Sequence, residues 1–172
     1  ISALGLNIAK TVFIPLWLVS NKAQLKKFVR ELYPPWKDIS IKDSGKYLGF
    51  FVGPGAGLSS WDKPVRKYHQ RAKDWSAMHL GLFYNTQVYR TFVVSVLSFV
   101  MQLMDDPPDL GEHFAQVVRL LAPGPGNWIS LADASHLEKG FGFHGSFQNP
   151  CWTSLAAKMR VAVTVANDHH TK

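Results

Sequence analysis

A run of glycine and proline divides this sequence into two parts with different patterns. The run Gly-Pro-Gly-Ala-Gly at residues 53–57 combines residues that interrupt helices and strands, so it predicts a linker or hinge. Before the run, apolar residues form short stretches suited to strands and one amphipathic helix. After it, they recur at helical spacing. The sequence therefore predicts an α+β chain in which a mixed part precedes a mainly helical part.

The first part begins with a predicted helix and strand. Residues 1–10 are typical of a helix that ends at a glycine, and residues 11–19 are typical of a strand. Pro15 cannot donate a ladder hydrogen bond, so this strand should lie at an edge or carry a bulge. Residues 21–32 then place apolar side chains at helical spacing and predict an amphipathic helix.

Two short β-favouring runs follow the amphipathic helix. Residues 39–41 and 46–52 are separated by Lys-Asp-Ser-Gly at residues 42–45, which has turn chemistry. We expect the two runs to pair as a β-hairpin with residues 42–45 as its turn.

The second part predicts a series of helices. Residues 61–75 place apolar side chains on one side and cations on the other, so we assign Trp61 and Trp75 to packing. Residues 86–104 are apolar nearly all round and predict a helix enclosed by its neighbours. Further helices are expected at residues 110–121, 130–138 and 153–166, and the glycine-proline run at residues 122–126 should be a connector.

The charge balance favours a polyanionic partner. The chain has 19 Lys and Arg against 12 Asp and Glu, a formal net charge of +7 and a pI near 9.6, which suits nucleic acid. Its single cysteine excludes an internal disulfide, and its histidines lack metal-ligand spacing, so we expect a nuclear or cytoplasmic protein without a metal site. The longest apolar stretch is too short to span a bilayer, so no membrane partner is expected. Because the sequence starts with Ile, we expect a piece of a longer frame.

Three segments in order carry a resemblance to a known family. Residues 5–11 read Gly-Leu-Asn-Ile-Ala-Lys-Thr, residues 46–50 read Lys-Tyr-Leu-Gly-Phe, and a basic helix bounded by Trp is followed by Ser-Val-Leu at residues 95–97. This order over residues 1–121 resembles the C-terminal part of reverse transcriptases of non-LTR (LINE-type) retrotransposons. The first segment is similar to motif D of that family and the second to motif E, the primer grip.

The resemblance implies a partial palm followed by a thumb. Residues 1–57 would be the end of the palm, residues 58–122 a helical thumb, and residues 123–172 a helical extension without an assigned role. Lys10 would correspond to the lysine that assists pyrophosphate departure. The expected contacts to an RNA/DNA template-primer are the primer-grip residues and the cations of the basic helix: Lys46, Tyr47, Leu48, Gly49, Lys63, Arg66, Lys67, Arg71 and Lys73.

The family's catalytic aspartates lie upstream of motif D, so the resemblance implies that this chain does not polymerise alone. Mg²⁺ is expected only in the full-length parent polymerase, together with the remainder of the reverse transcriptase as a partner. Met104-Asp105-Asp106 imitates the catalytic hairpin, but it follows the primer grip and precedes two prolines. We interpret it as an acidic turn at a helix end.

Plainer interpretations remain open. In these a cationic helix face is only solvated, as is common, Lys10 is an ordinary surface lysine, and the tyrosine and leucine of the primer-grip segment are core residues. The chain could also be a degenerate retroelement remnant, or a basic helical interaction module without an enzymatic role. A membrane-surface helix would need an exposed apolar face opposite its cations.

Overall fold

The chain forms two compact units, residues Ile1–Ser60 and Trp61–Lys172, in a computed structural model that describes residues 7–16, 21–126 and 128–170. Within the described residues, the strands lie in the first unit and the second is helical. The α+β class, with helix predominating, is confirmed. No helix of the described ranges is both long enough and apolar enough to cross a membrane.

The first unit contains two separate two-stranded sheets. Strand β1 (Val12–Phe13) pairs in parallel with β2 (Ser40–Ile41), and helix α1 (Lys22–Leu32) lies between them in sequence. Strand β3 (Gly45–Tyr47) pairs antiparallel with β4 (Phe50–Val52). Ile39, immediately before β2, is among the few buried apolar side chains of this unit.

The predicted pairing of residues 39–41 with residues 46–52 is wrong. Residues 46–52 fold back on themselves, because Leu48 and Gly49 both have positive φ, 47° and 100°, as a type I′ two-residue turn requires. The hairpin is therefore shorter than expected and turns at Leu48-Gly49, and residues 40–41 are left to pair with β1.

Helix α1 confirms the amphipathic helix predicted at residues 21–32. The side chain of Asn21 caps it by accepting hydrogen bonds from the amides of Ala23 and Gln24. None of its residues is buried, and Phe28 and Leu32 are 59% and 70% exposed. Its apolar face therefore has little cover within the described residues.

The remaining predictions for the first part are only partly described. Residues 8–10 form a 3₁₀ turn before β1, and Pro15 follows β1 and is buried. The rest of the helix predicted at residues 1–10, and the end of the strand predicted at residues 11–19, lie outside the described residues.

The glycine-proline run is irregular but held in place. Gly53 has φ 119°, and a Cβ added there would lie 2.3 Å from the carbonyl oxygen of Asp43. The amide of Gly55 donates to the same oxygen at 3.0 Å, and Ala56 is buried. The run thus packs back on the loop before β3, a contact that only glycine at residue 53 permits.

The second unit is built around helix α2 (Ser59–Ser76). Trp61, Tyr68 and Ala72 are buried, and Val65 and Trp75 pack partly buried beside them, as the spacing predicts. The Trp61 indole Nε1 donates to the carbonyl of Asp105 at 2.8 Å. Assigning Trp61 and Trp75 to packing is confirmed.

Residues 81–103 form a continuous helical path with an irregular centre. Helix α3 (Gly81–Val88) passes into a π-helical turn (Tyr89–Val93), a 3₁₀ turn (Val94–Leu97) and helix α4 (Ser98–Leu103). The enclosed helix predicted at residues 86–104 is therefore wrong in part. Phe92, Phe99 and Leu103 are about half exposed, so only one side of the path packs.

The helices after the path share one core with α2. Helix α5 (Leu110–Leu121) lies where it is predicted, whereas residues 130–138 divide into α6 (Leu131–Ser135) and α7 (Leu137–Phe141), and α8 runs over Pro150–His170. The core joins residues from the ranges 58–122 and 123–172, which are therefore parts of one compact unit. Its largest buried side chains include Trp61, Tyr68, Tyr89, Leu97, Met101, Phe114 and Phe147.

A hydrogen-bonded pair of tyrosines fixes the centre of this core. Tyr89 donates its hydroxyl to the carbonyl of Gln148 at 2.8 Å, so Tyr68, 3.1 Å from the Tyr89 oxygen, is the donor to Tyr89. Burial raises the pKa of both phenols, which keeps them protonated and able to donate. The π-helical turn is thereby tied to the segment before α8.

Candidate nucleic-acid interface

The exposed side of α2 carries a row of cations. Lys63, Arg66, Lys67 and Lys73 are all exposed, on the side of the helix away from buried Trp61, Tyr68 and Ala72. We call these four residues the cationic face. Packing of the opposite side fixes the orientation of the helix about its axis. The four charged side chains therefore face solvent.

The charges of the cationic face are available to a ligand. Within the described ranges no ion pair engages any of the four side chains. Asp74, the acidic residue nearest in sequence to Lys73, instead accepts a hydrogen bond from Gln70 at 2.7 Å. A row of unpaired cations on one helix can contact successive phosphates of a nucleic-acid backbone.

Arg71 has a different position from the other predicted cations. It is half-buried at the flank of α2, and its guanidinium donates to the carbonyl of Phe92 in the π-helical turn. The neighbouring Trp75 stacks on the Phe92 ring, with centroids 5.1 Å apart and planes at 21°. Arg71 therefore joins α2 to the π-helical turn and stands apart from the cationic face.

The residues predicted as a primer grip lie together at the tip of the β3–β4 hairpin. Lys46 and Tyr47 end β3, and Leu48 and Gly49 form the turn; all four are exposed. Tyr47 packs edge-on against Phe50 across the turn, with ring centroids 6.1 Å apart. The alternative in which Tyr47 and Leu48 are core residues does not hold, since their side chains are 61% and 75% exposed.

Leu48 combines exposure with backbone strain. A left-handed conformation costs a branched residue about 1 kcal/mol relative to glycine or asparagine, yet Leu48 has φ 47°. Neither the fold of the hairpin nor core packing requires leucine at this position. A strained, exposed apolar residue at a turn is a candidate contact residue.

Lys10 ends the 3₁₀ turn before β1. Its backbone amide donates to the carbonyl of Asn7 at 3.1 Å, and its side chain is exposed. Among the described residues no carboxylate pairs with it. Lys10 and the hairpin belong to the first unit, and the cationic face belongs to the second.

Met104-Asp105-Asp106 is a structural turn, as predicted. Helix α4 ends at Leu103 and Met104 is extended. Asp106 accepts hydrogen bonds from Ser154 at 2.5 Å and from Lys158 at 3.1 Å, both on α8. These hydrogen bonds of the Asp106 carboxylate hold α8 beside α4. They support the interpretation of this segment as an acidic turn at a helix end.

No family model matches this chain. No curated protein and no solved structure matches it. The resemblance drawn from the order of motifs therefore stays a prediction.

A coupled pair of histidines was missed by the sequence analysis. His69 Nε2 lies 2.8 Å from His113 Nδ1, and His113 Nε2 lies 3.3 Å from Asp109 Oδ2. When His113 carries its proton on Nε2 and donates it to Asp109, its Nδ1 accepts a hydrogen bond from the Nε2–H of His69. Burial, with a smaller contribution from His113, lowers the pKa of His69. The two histidines are 44 residues apart in sequence, so no local sequence pattern predicts their contact.

Proposed function

We propose that this chain binds the phosphate backbone of a template-primer duplex through the cationic face of α2. The observation that carries the proposal is the set of four exposed, unpaired cations on a helix whose opposite side is locked in a core. Phosphate contacts of this kind position a protein on nucleic acid without reading its sequence. The net charge of +7 favours the same class of partner.

We further propose that the chain is the palm-end and thumb portion of a reverse transcriptase. This proposal rests on the order of the motif D, primer-grip and basic-helix segments. It is supported by the exposure of Lys46, Tyr47, Leu48 and Gly49 together at a hairpin tip, where the backbone of a primer strand can approach a glycine closely. In this proposal Mg²⁺ would be bound by the parent polymerase, whose catalytic aspartates lie upstream of the segment similar to motif D.

The test is binding of the purified chain to a labelled RNA/DNA hybrid at several salt concentrations. The variant reverses three charges of the cationic face, Lys63→Glu, Arg66→Glu and Lys67→Glu. The matched control, Lys26→Glu, Lys27→Glu and Lys37→Glu, makes the same change in net charge at exposed positions on and after α1.

We expect salt-sensitive binding by the unaltered chain. The cationic-face variant should bind weakly, and the slope of log affinity against log salt should become shallower by about 0.9 for each lost phosphate contact. The control should keep most of the slope. Equal losses of affinity in the two triple variants would show that the effect depends only on overall charge. Absence of binding by the unaltered chain at low salt would favour the degenerate remnant.

A further inference from the structure

A groove on the second unit combines cations with an exposed tryptophan. One section, about 770 Å³, is lined by residues that include His136, Trp152 and Arg160. An adjoining section, about 220 Å³, is lined by Arg90, Lys139 and Glu138 among others. Ser135, His136 and Gln148 line both sections, so the two sections adjoin, and we call them together the groove.

The groove is electropositive. Arg90, Lys139 and Arg160 are exposed along it, and the described part of the chain contains no ion pair to any of them. Glu138 is the acidic residue of its lining. The three cations outweigh the one carboxylate, which suits a ligand with more than one negative charge.

His136 adds a polar ring to the groove. Its Nδ1 lies 2.8 Å from the carbonyl of Ala132, so Nδ1 carries a proton and donates to that oxygen. The second ring nitrogen, Nε2, is left for a ligand.

Trp152 presents a flat surface to the same groove. Its side chain is 72% exposed, unlike Trp61 and Trp75, whose rings belong to the core. Ala156 and Arg160 follow at successive turns on the same side of α8, so a small residue and then a cation lie beside the indole. An exposed aromatic ring next to cations is the arrangement that stacks an unpaired base while binding its phosphate.

We infer that this groove binds single-stranded nucleic acid, with a base stacked on Trp152 and the adjacent phosphates held by Arg90, Lys139 and Arg160. Bases inside a duplex are stacked on each other and cannot reach the indole face. The groove therefore selects an unpaired strand, whereas the cationic face of α2 requires only a phosphate backbone. The inference goes beyond the proposed function and does not depend on it.

The experiment measures binding of a labelled oligothymidylate, roughly 10 nucleotides long, by fluorescence anisotropy, with an RNA/DNA duplex titrated in parallel. Trp152→Ala should raise the Kd for the single strand about tenfold, the effect of losing one stacked base. Trp152→Phe should recover part of the loss. Neither change should alter duplex affinity appreciably.

A second pair of variants covers the phosphate contacts. Arg160→Glu should weaken single-strand binding strongly, whereas Arg119→Glu, an exposed charge reversal on α5 outside the groove, should not. The Lys63, Arg66 and Lys67 triple reversal should weaken the duplex far more than the single strand. Failure of the duplex result alone would count against the proposed function, and failure of the Trp152 and Arg160 results against the groove.

Other outcomes would overturn the inference. Thymidine monophosphate competing as well as the oligonucleotide on a molar basis would indicate a mononucleotide pocket. Unchanged single-strand affinity in Trp152→Ala, with loss of self-association or of vesicle binding instead, would indicate that the exposed indole serves a protein or lipid contact.

Discussion

At the scale of single residues, Arg66 and Arg71 show that two cations on one helix can have different roles. They are five positions apart on α2, but Arg66 is exposed on the cationic face and Arg71 donates to the Phe92 carbonyl. The sequence groups them because both fall on the polar side of the helix. Five positions correspond to about 140° of rotation about the helix, which puts Arg71 at the flank of α2, where it reaches the π-helical turn.

We predict that Arg71→Ala and Arg66→Ala have opposite consequences. Arg71→Ala should lower the free energy of unfolding by about 1 kcal/mol, because it removes a hydrogen bond to a backbone carbonyl, with a small change in duplex affinity. Arg66→Ala should weaken duplex binding and leave stability unchanged. Urea unfolding and anisotropy titration of both variants check this, and a loss of affinity in Arg71→Ala equal to that in Arg66→Ala would contradict it.

At the scale of elements, the His69–His113 contact joins α2 to α5 and makes their packing sensitive to pH. Burial lowers the pKa of His69 in the folded chain, whereas the unfolded chain takes up the proton near the ordinary pKa of about 6.5. As the pH falls below that value, the unfolded state binds more protons than the folded state. The stability contributed by neutral His69 is therefore present above about pH 6.5 and is lost below it.

We predict that the urea midpoint of the second unit decreases between roughly pH 7.5 and pH 5.5. His69→Gln should reduce this decrease, because glutamine can donate to His113 but does not titrate. His144→Gln, a change at an exposed histidine, serves as the control. A decrease of equal size in His69→Gln and the unaltered chain would show that other groups cause it.

The elements also show which patterns a sequence can predict. Helix α2 could be predicted because Trp61, Tyr68 and Ala72 repeat at helical spacing and all three are buried. The hairpin was misplaced because the Lys-Asp-Ser-Gly segment has stronger turn chemistry than Leu48-Gly49, and leucine is a rare choice for positive φ. The groove of Arg90, Trp152 and Arg160 could not be predicted, since its lining comes from the π-helical turn, α6, α7 and α8, which are far apart in sequence.

At the scale of the whole molecule, the two units differ in how much apolar surface they bury. In the part of the second unit that the structure describes, 19 buried residues form one hydrophobic cluster. Among the described residues of the first unit, Ile39 and Ala56 are the buried apolar side chains besides Pro15. Burial of apolar surface is the main contribution to stability, so the units should not be equally stable.

We predict that amide hydrogen exchange separates the units. Amides of α5 and of the buried side of α2 should exchange slowly, whereas those of α1, which has no buried residue, should exchange within the fastest class. Mass spectrometry of peptides from each unit measures the difference. Binding of an RNA/DNA duplex should leave the order unchanged if the cationic face is the principal contact, and strong protection of α1 on binding would contradict that assignment.

The π-helical turn sets the rotation of helix α4 relative to helix α3. The Val94 amide reaches back five residues to Tyr89, and carbonyls in the widened turn are taken by side chains, Thr91 by Ser95 and Phe92 by Arg71. Such a turn is equivalent to one residue inserted into an α-helix. Deletion of one residue from the turn would rotate α4 by about 100° and turn Val100 and Met101 away from the core. Residues 89–93 should therefore keep their length during evolution even where the exposed Thr91 is substituted.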